Sequence, residues 1–346
     1  MGMTSAASRL ARLADGYVVT QLLWVAAELR IADALADGPR SAKELATQVG
    51  ADPDVLRRVL RGLAAEEVLD DLPGDRFGLT ATGELLRDGV EGSQRGAVLA
   101  RGGLYYGALA GLLDAVRDGG VPFELVHGRT FFQHLDIHPA ESARFQSSMA
   151  VRAAREAAAV VEAYDFRRFR TLVDVGGGTG VLLAEILRAA PPVSGVLFDR
   201  PEVVRGSQLP HVGGDFFAEV PAGAEAYVLS RVIHDWPGAE AVAILRTVRR
   251  AIPDSGTLLL VEAVLPARAS DDPAAVRMDV HMLTLLGGQE RTADEFAALL
   301  AAAGFRLDRV MPTGPRSGVH VLVARPAEVP RHSDRPRSRA ASGGES

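Results

Sequence analysis

The run Leu172-Val173-Asp174-Val175-Gly176-Gly177-Gly178-Thr179-Gly180 limits what this chain can fold into more than any other segment. A short apolar stretch runs straight into four glycines within five residues. An apolar helical pattern, Val181–Ala190, follows and is stopped by Pro191-Pro192. Glycine allows positive φ and close approach of the backbone to a ligand. Strand, glycine turn and helix together form the first half of a βαβ unit. The alternation then continues. Residues 195–198, 226–230, 257–264 and 319–324 read as strands, and 239–251 and 292–303 as helices. Thr292 is an N-cap and Gly304 a C-terminal stop for the last helix. The spacing predicts an α/β fold over residues 165–325, a mostly parallel, doubly wound, Rossmann-like sheet.

The chain has 346 residues, enough for about two domains. Residues 10–90 read differently from the glycine-turn region. Residues 13–36 carry a broad apolar stripe that Gly38-Pro39 breaks. Ser41 with Glu44 forms a capping-box pattern, and Asp52-Pro53 opens a second helix. Val68–Leu79 reads as a hairpin around Pro73-Gly74-Asp75. Helix, helix, hairpin is the order of a mainly helical winged-helix module. Arg57, Arg58 and Arg61 on its second helix raise the idea of DNA binding. Glu66, Glu67, Asp70 and Asp71 beside them would repel phosphates. The module is therefore expected to be a dimerisation platform. Residues 91–164 are largely helical, a linker expected to line a substrate pocket. Residues 326–346, rich in Pro, Arg, Ser and Gly, are expected to be disordered.

A net charge of −6 disfavours a general nucleic-acid or anionic-membrane binder. With no cysteine, disulfides and thiolate metal sites are excluded. No run reads as a membrane span or a secretory leader, so a soluble cytoplasmic protein is expected. The histidines are scattered. His134 and His138 stand four residues apart, but no third ligand is evident, so no metal is expected.

Two ligand classes compete for the glycine turn. The dinucleotide fingerprint needs a sixth-position glycine, but counting from Gly176 that position is Val181. An acidic residue, Asp174, precedes the turn. It would repel a pyrophosphate but suits the cationic ammonium and sulfonium end of S-adenosylmethionine (SAM). Asp199, at the end of the second strand, could accept hydrogen bonds from ribose hydroxyls. Asp215 could accept from an adenine amino group while Phe216 packs on the ring. Gly176, Gly178 and Ser230 complete the expected cofactor contacts.

Leu172–Gly180, Gly214–Phe217, Arg231-Val232-Ile233-His234-Asp235-Trp236 and Gly287-Gly288-Gln289-Glu290-Arg291-Thr292 resemble SAM-dependent O-methyltransferases of bacterial aromatic polyketide and plant phenylpropanoid metabolism. The resemblance runs from about residue 10 to 325. It implies an N-terminal dimerisation domain, a homodimer, a small aromatic substrate and a C-terminal SAM domain. It also implies that His234 is the base and that Glu262 and Glu290 orient it. The chemistry agrees, because a phenol has a pKa of about 10 and methyl transfer from a sulfonium needs alignment and proton removal. Phe145, Met149, Asp235 and Met282 match the family's substrate-lining positions. The segment Pro201–Gly213 is shorter than the family's. Relatives that decarboxylate, hydroxylate or N-methylate form one alternative, and a SAM-sensing DNA-binding regulator forms another.

Overall fold

The computed structural model describes residues 5–314 and 317–328. Within the long helix Pro139–Ala163, the side chains of residues 146–148, 150 and 151 fall outside the description. The tail expected to be disordered lies outside it from residue 329 onward.

The N-terminal apolar stripe is not one helix. A leading segment, Ala6–Ala14, is followed by α1 (Gly16–Glu28) and a single turn, Ile31–Ala34. Arg30 adopts φ 55°, which ends α1, and its guanidinium returns to Asp33. Helices α2 (Ala42–Val49) and α3 (Pro53–Ala65) begin as their caps require. Ser41 and Glu44 form the reciprocal capping box, and Asp52 accepts from the amides of Asp54 and Val55. The hairpin pairs Leu69–Leu72 with Arg76–Leu79, and Gly74 and Asp75 both turn at positive φ. Arg40–Ser41 adds a third short strand. Leu45, Leu56, Leu60, Leu63 and Phe77 close this module's own core. Arg57 is tied to Asp54 and Asp75, so it faces local acids.

The connecting region is helical along most of its length, and its later helices are α4 (Pro122–His127), α5 (Phe131–Ile137) and α6 (Pro139–Ala163). Upstream, Arg101–Tyr105 forms a π-turn in which Gly102 packs so closely on Trp24 that a Cβ there would lie 2.3 Å from it.

The main sheet has seven strands: β1 (Thr171–Val175), β2 (Ser194–Asp199), β3 (His211–Gly213), β4 (Ala226–Ser230), β5 (Thr257–Glu262), β6 (Phe305–Pro312) and β7 (His320–Pro326). Their order is β6-β7-β5-β4-β1-β2-β3, and β7 alone runs antiparallel to its neighbours. The mostly parallel, doubly wound expectation therefore holds, with one reversed strand. Two strands escape the sequence patterns. Strand β3, His-Val-Gly, is exposed throughout, and β6 carries Arg306, Asp308 and Arg309 with a bulge between Leu307 and Arg309. Neither has the continuous apolar run of a strand buried on both faces.

Strict alternation divides the core. Leu258 and Leu260 face one layer, with α8 (Gly238–Ala251) and α10 (Ala293–Ala302), while Leu259 and Val261 face the other, with α6 and α7 (Val181–Ala189). By the same alternation Glu262 falls on the α8 side, fully buried. Helix α9 (Pro273–Leu286) lies between β5 and α10 in the chain and ends at Gly287, φ 68°. Strand order reverses between β1 and β4, which creates a crevice at their carboxyl ends. The glycine turn leaves one of these strands and the His234 turn leaves the other.

Candidate active site

The glycine turn is held by backbone contacts. The Gly176 amide donates to the Phe198 carbonyl at 2.7 Å, and Gly176, Gly178 and Gly180 have φ of 69°, 59° and 81°. A Cβ on Gly176 would lie 2.8 Å from Val232, whereas one on Gly178 would meet nothing within 4 Å. The turn thus packs tightly against β4's exit on one side and is open at Gly178. The Gly178 amide donates to Asp199 Oδ2 at 2.8 Å, and Asp199 Oδ1 accepts from the Arg200 amide at 2.7 Å. Asp199 therefore fastens β2 to the turn and keeps lone pairs for a further donor.

The Phe216 ring approaches Gly176 and packs edge-on to Trp236 at 6.0 Å. Asp215 is exposed and accepts from the Phe217 amide, capping its own turn. Asp174 lies beneath the turn rather than on its open side. It is fully buried, neither carboxyl oxygen has a partner, and Oδ2 lies 2.5 Å from where a Gly177 Cβ would be. Burial, helped by nearby Asp199, pushes its pKa up to about 7.

The second turn is built on charge. Strand β4 ends at Ser230, half-buried and paired in register with Val261. Arg231 then takes φ 56° and turns the chain into the 3-10 segment Ile233–Asp235. Glu262 Oε1 accepts from the amides of Val232 (3.1 Å) and Ile233 (2.8 Å), so a strand-end carboxylate holds the turn from below. Residues 288–291 hold it from above. The Gln289 amide donates to the His234 carbonyl, and Arg291 donates to the carbonyls of Ile233 and Trp236. Gly288 lies so close that a Cβ would be 2.3 Å from the His234 carbonyl oxygen.

His234 Nδ1 is 3.3 Å from both Glu262 Oε2 and Glu290 Oε1, and Nε2 is 3.1 Å from Asp235 Oδ1. Burial works against the imidazolium, but Glu262, Asp235 and Glu290 outweigh it and push the His234 pKa up to about 10. Burial also drives Glu262 up to about 7 despite the cation beside it. Glu290 goes the other way: although burial opposes ionisation, His234 and Arg231 hold it below the usual carboxylate range. Of the two carboxyls at Nδ1, Glu290 is therefore the firmly ionised one. Glu290 is 1% exposed, a buried residue rather than a solvated turn acid.

Several members of this network went unnoticed in the sequence. Arg231 Nη1 reaches Glu290 at 3.3 Å, and its other nitrogens bond both oxygens of Glu156, which also accepts from Arg152. Asp279 accepts from the Glu290 amide. Arg231 sits in the motif that carries the resemblance, but Glu156 lies in an alanine-rich helix with no local cue.

The expected substrate-lining residues are spread out. Phe145 packs edge-on to Phe131 and lines a cavity of about 220 Å³ with Trp24, Leu99, Tyr105 and His127. Met149 is half-buried and Met282 is 8% exposed, and neither lines that cavity. Asp235 stands against His234, with Oδ1 3.1 Å from Nε2.

The crevice, the open glycine turn and the buried carboxyl-flanked histidine beside it describe an enzyme with a nucleotide-type cofactor. The comparisons say which. The O-methyltransferase domain family matches residues 109–306, and the O-methyltransferase dimerisation domain matches residues 11–88. A phenazine O-methyltransferase of Lysobacter antibioticus is 43% identical over 337 residues, covering 94% of this chain and 98% of that protein. The solved structure of the mitomycin 7-O-methyltransferase superposes with a TM-score of 0.86 at 32% identity, covering 93% and 98% of the two chains. An O-methyltransferase from neocarzinostatin biosynthesis, solved with S-adenosyl-L-homocysteine and 1,4-dihydroxy-2-naphthoic acid, does so at 0.78 and 33%, covering 89% and 96%. The chain belongs to the SAM-dependent O-methyltransferase family, in its two-domain form with an N-terminal dimerisation module. It is a SAM-dependent methyltransferase of natural-product intermediates. No helix among the described residues is long and apolar enough to cross a membrane.

Proposed function

We propose that this enzyme methylates a hydroxyl on an aromatic natural-product intermediate, with His234 as the base. The observation that carries this reading is the placement of His234, buried beside the crevice with Nδ1 between two carboxyls and Nε2 the only ring nitrogen left to face a reactant. The residues around the glycine turn fit SAM. The open backbone at Gly178, the free lone pairs of Asp199 and the Phe216 ring offer it the right chemistry. When bound, SAM supplies an electrophilic methyl group.

The protein's part is then proton management and alignment. Nε2 receives the hydroxyl proton once Asp235 yields its place to the substrate. Glu290 and Glu262, each 3.3 Å from Nδ1 without hydrogen-bonding geometry, hold the ring by charge and stabilise the imidazolium that forms. The carboxyls that raise the His234 pKa make it a stronger base toward a phenol, whose own pKa is about 10. Arg231, clamped by Glu156, keeps Glu290 ionised and prevents it from taking the proton itself.

The dimerisation-domain match, together with Leu10, Leu13 and Tyr17 exposed on the leading helices, supports a homodimer. Incubation of the purified chain with methyl-labelled SAM and a panel of hydroxylated naphthoates, phenazines and benzoates tests the assignment. Label on a phenolic oxygen supports it. Label only on nitrogen, or a product that has lost carbon dioxide, overturns it.

A further inference from the structure

The corner where α5 gives way to α6 brings together side chains that methyl transfer does not use. His134 lies near the end of α5, His138 at the junction, and Glu141 in the first turn of α6 behind Pro139. His134 Nε2 is 2.8 Å from Glu141 Oε2, and one nitrogen or oxygen from each of the three residues lies within 4.8 Å of the others. Sequence spacing alone shows only the two histidines; the helix break folds Glu141 back onto them.

A simple His134–Glu141 hydrogen bond does not account for the corner. The His138 ring lies 4.1 Å from His134, tilted at 33°, a contact that gains no hydrogen bond. His127, whose ring is 5.0 Å from His134, keeps its Nε2 buried without a partner. The floor is dry: Phe123 and Phe131 are 0% and 1% exposed, and Phe123 touches the rings of both His127 and His134. Buried unpaired nitrogen costs free energy unless something binds it.

We propose that His134, His138 and Glu141 form a site for a divalent transition-metal ion of the zinc type, with His127 beside it. Two imidazoles and a carboxylate are a zinc-like donor set, whereas calcium and magnesium require oxygen ligands. Metal bonds of roughly 2.0–2.1 Å place ligand atoms about 3.4 Å apart in a tetrahedron. The donor atoms already lie within 4.8 Å of one another, and the exposed surface of Glu141 leaves its side chain free to rotate toward the ion. His127 and Glu141 also line the cavity that contains Phe145, so the ion would sit in its wall and pin α5 to α6. The second cluster of suitable atoms, His234, Glu262 and Glu290, already receives the Arg231 cation, which disfavours an ion there.

The test uses untagged, chelator-treated, full-length protein titrated with cobalt(II), read by its visible absorption, and then displaced by zinc(II). One ion per chain is expected, and zinc should raise the melting temperature. Loss of a ligand should weaken binding by at least the ~10–100-fold that loss of an outer-shell partner costs. His138→Ala and Glu141→Gln should therefore lose the cobalt bands and the thermal shift, while His234→Ala keeps both. The Glu141 side chain is 41% exposed, so Glu141→Gln should fold even if a histidine variant does not. Absence of saturation at one ion per chain overturns the site, as does a signal that survives Glu141→Gln and vanishes in His234→Ala.

Discussion

Asp174 and Glu262 are both fully buried carboxyls near the carboxyl ends of strands in one sheet, and burial pushes both up to about 7. Their surroundings differ. Asp174 has no partner for either oxygen and lies under a turn held by backbone hydrogen bonds and glycine geometry. Glu262 accepts two amides and stands in a line of charge from Arg152 through Glu156, Arg231 and Glu290 to His234. One corner is shaped to admit a ligand and the other is wired to hold a proton. The two corners should therefore fail in different ways when mutated.

The largest effect should come from the charged corner. His234→Ala removes the proposed proton acceptor while leaving the glycine turn untouched. Turnover should fall by about two to four orders of magnitude, the usual worth of a positioned base. SAM binding measured by calorimetry should not change. Full activity in that variant would remove His234 from the reaction.

Asp174→Asn tests the other carboxyl through stability rather than rate. The folded protein holds Asp174 protonated up to about pH 7, whereas the ordinary value is 3.8. An acid whose folded pKa is raised stabilises the fold fully below its unfolded pKa. That contribution is lost as pH climbs toward the folded value. Three pH units correspond to about 4 kcal/mol. Denaturant unfolding of the ligand-free protein should therefore lose stability between roughly pH 4 and pH 7, and the asparagine variant should lack that share of the slope. Identical slopes would mean that Asp174 is already paired in solution.

These two corners were not equally legible in the sequence. The glycine turn is local, an apolar strand running straight into glycines, and Asp199 and Phe216 each come at or just after the end of a later strand in the regular strand–helix order. Glu262 was suspicious for one physical reason, a carboxylate in an apolar strand. The rest of the network is long-range. Glu156 meets Arg231 across 75 residues and Arg231 meets Glu290 across 59, with no periodicity to announce either contact. The orientation of Asp174 was also hidden, because its place before the turn does not say which side of the sheet it faces. Strands β3 and β6 were missed because edge strands carry polar residues that mimic loops. Glu141 was missed because Pro139 conceals a reversal that brings it to His134.

Asp199→Ala probes the ligand-admitting corner directly. It removes the acceptor proposed for a ribose hydroxyl and frees the Gly178 amide. Loss of a charge-assisted hydrogen bond costs about 1.5–3 kcal/mol, so SAM affinity should fall by roughly 10- to 150-fold. Turnover at saturating SAM should change much less. Loss of turnover with unchanged affinity would place Asp199 in the wrong corner.

Asp235→Asn should give the smallest effect and sharpen the contrast most. Asp235 is one of three carboxyls that raise His234 and the only one at Nε2, the atom proposed to face the reactant. Its side chain is 31% exposed, so water screens it more than the buried Glu262 and Glu290. A base is active when deprotonated, so the wild-type rate should climb with pH toward about 10. Removing the Asp235 charge destabilises the imidazolium, so the rising limb should move to lower pH. Near neutrality a larger share of the enzyme then carries a free base, which offsets the weaker driving force for proton transfer. The rate there should stay within a few-fold of wild type while the high-pH plateau drops. A limb that does not move would show that the Asp235 charge does not act on the ring even before substrate displaces it, and that Glu262 and Glu290 alone set the basicity of His234.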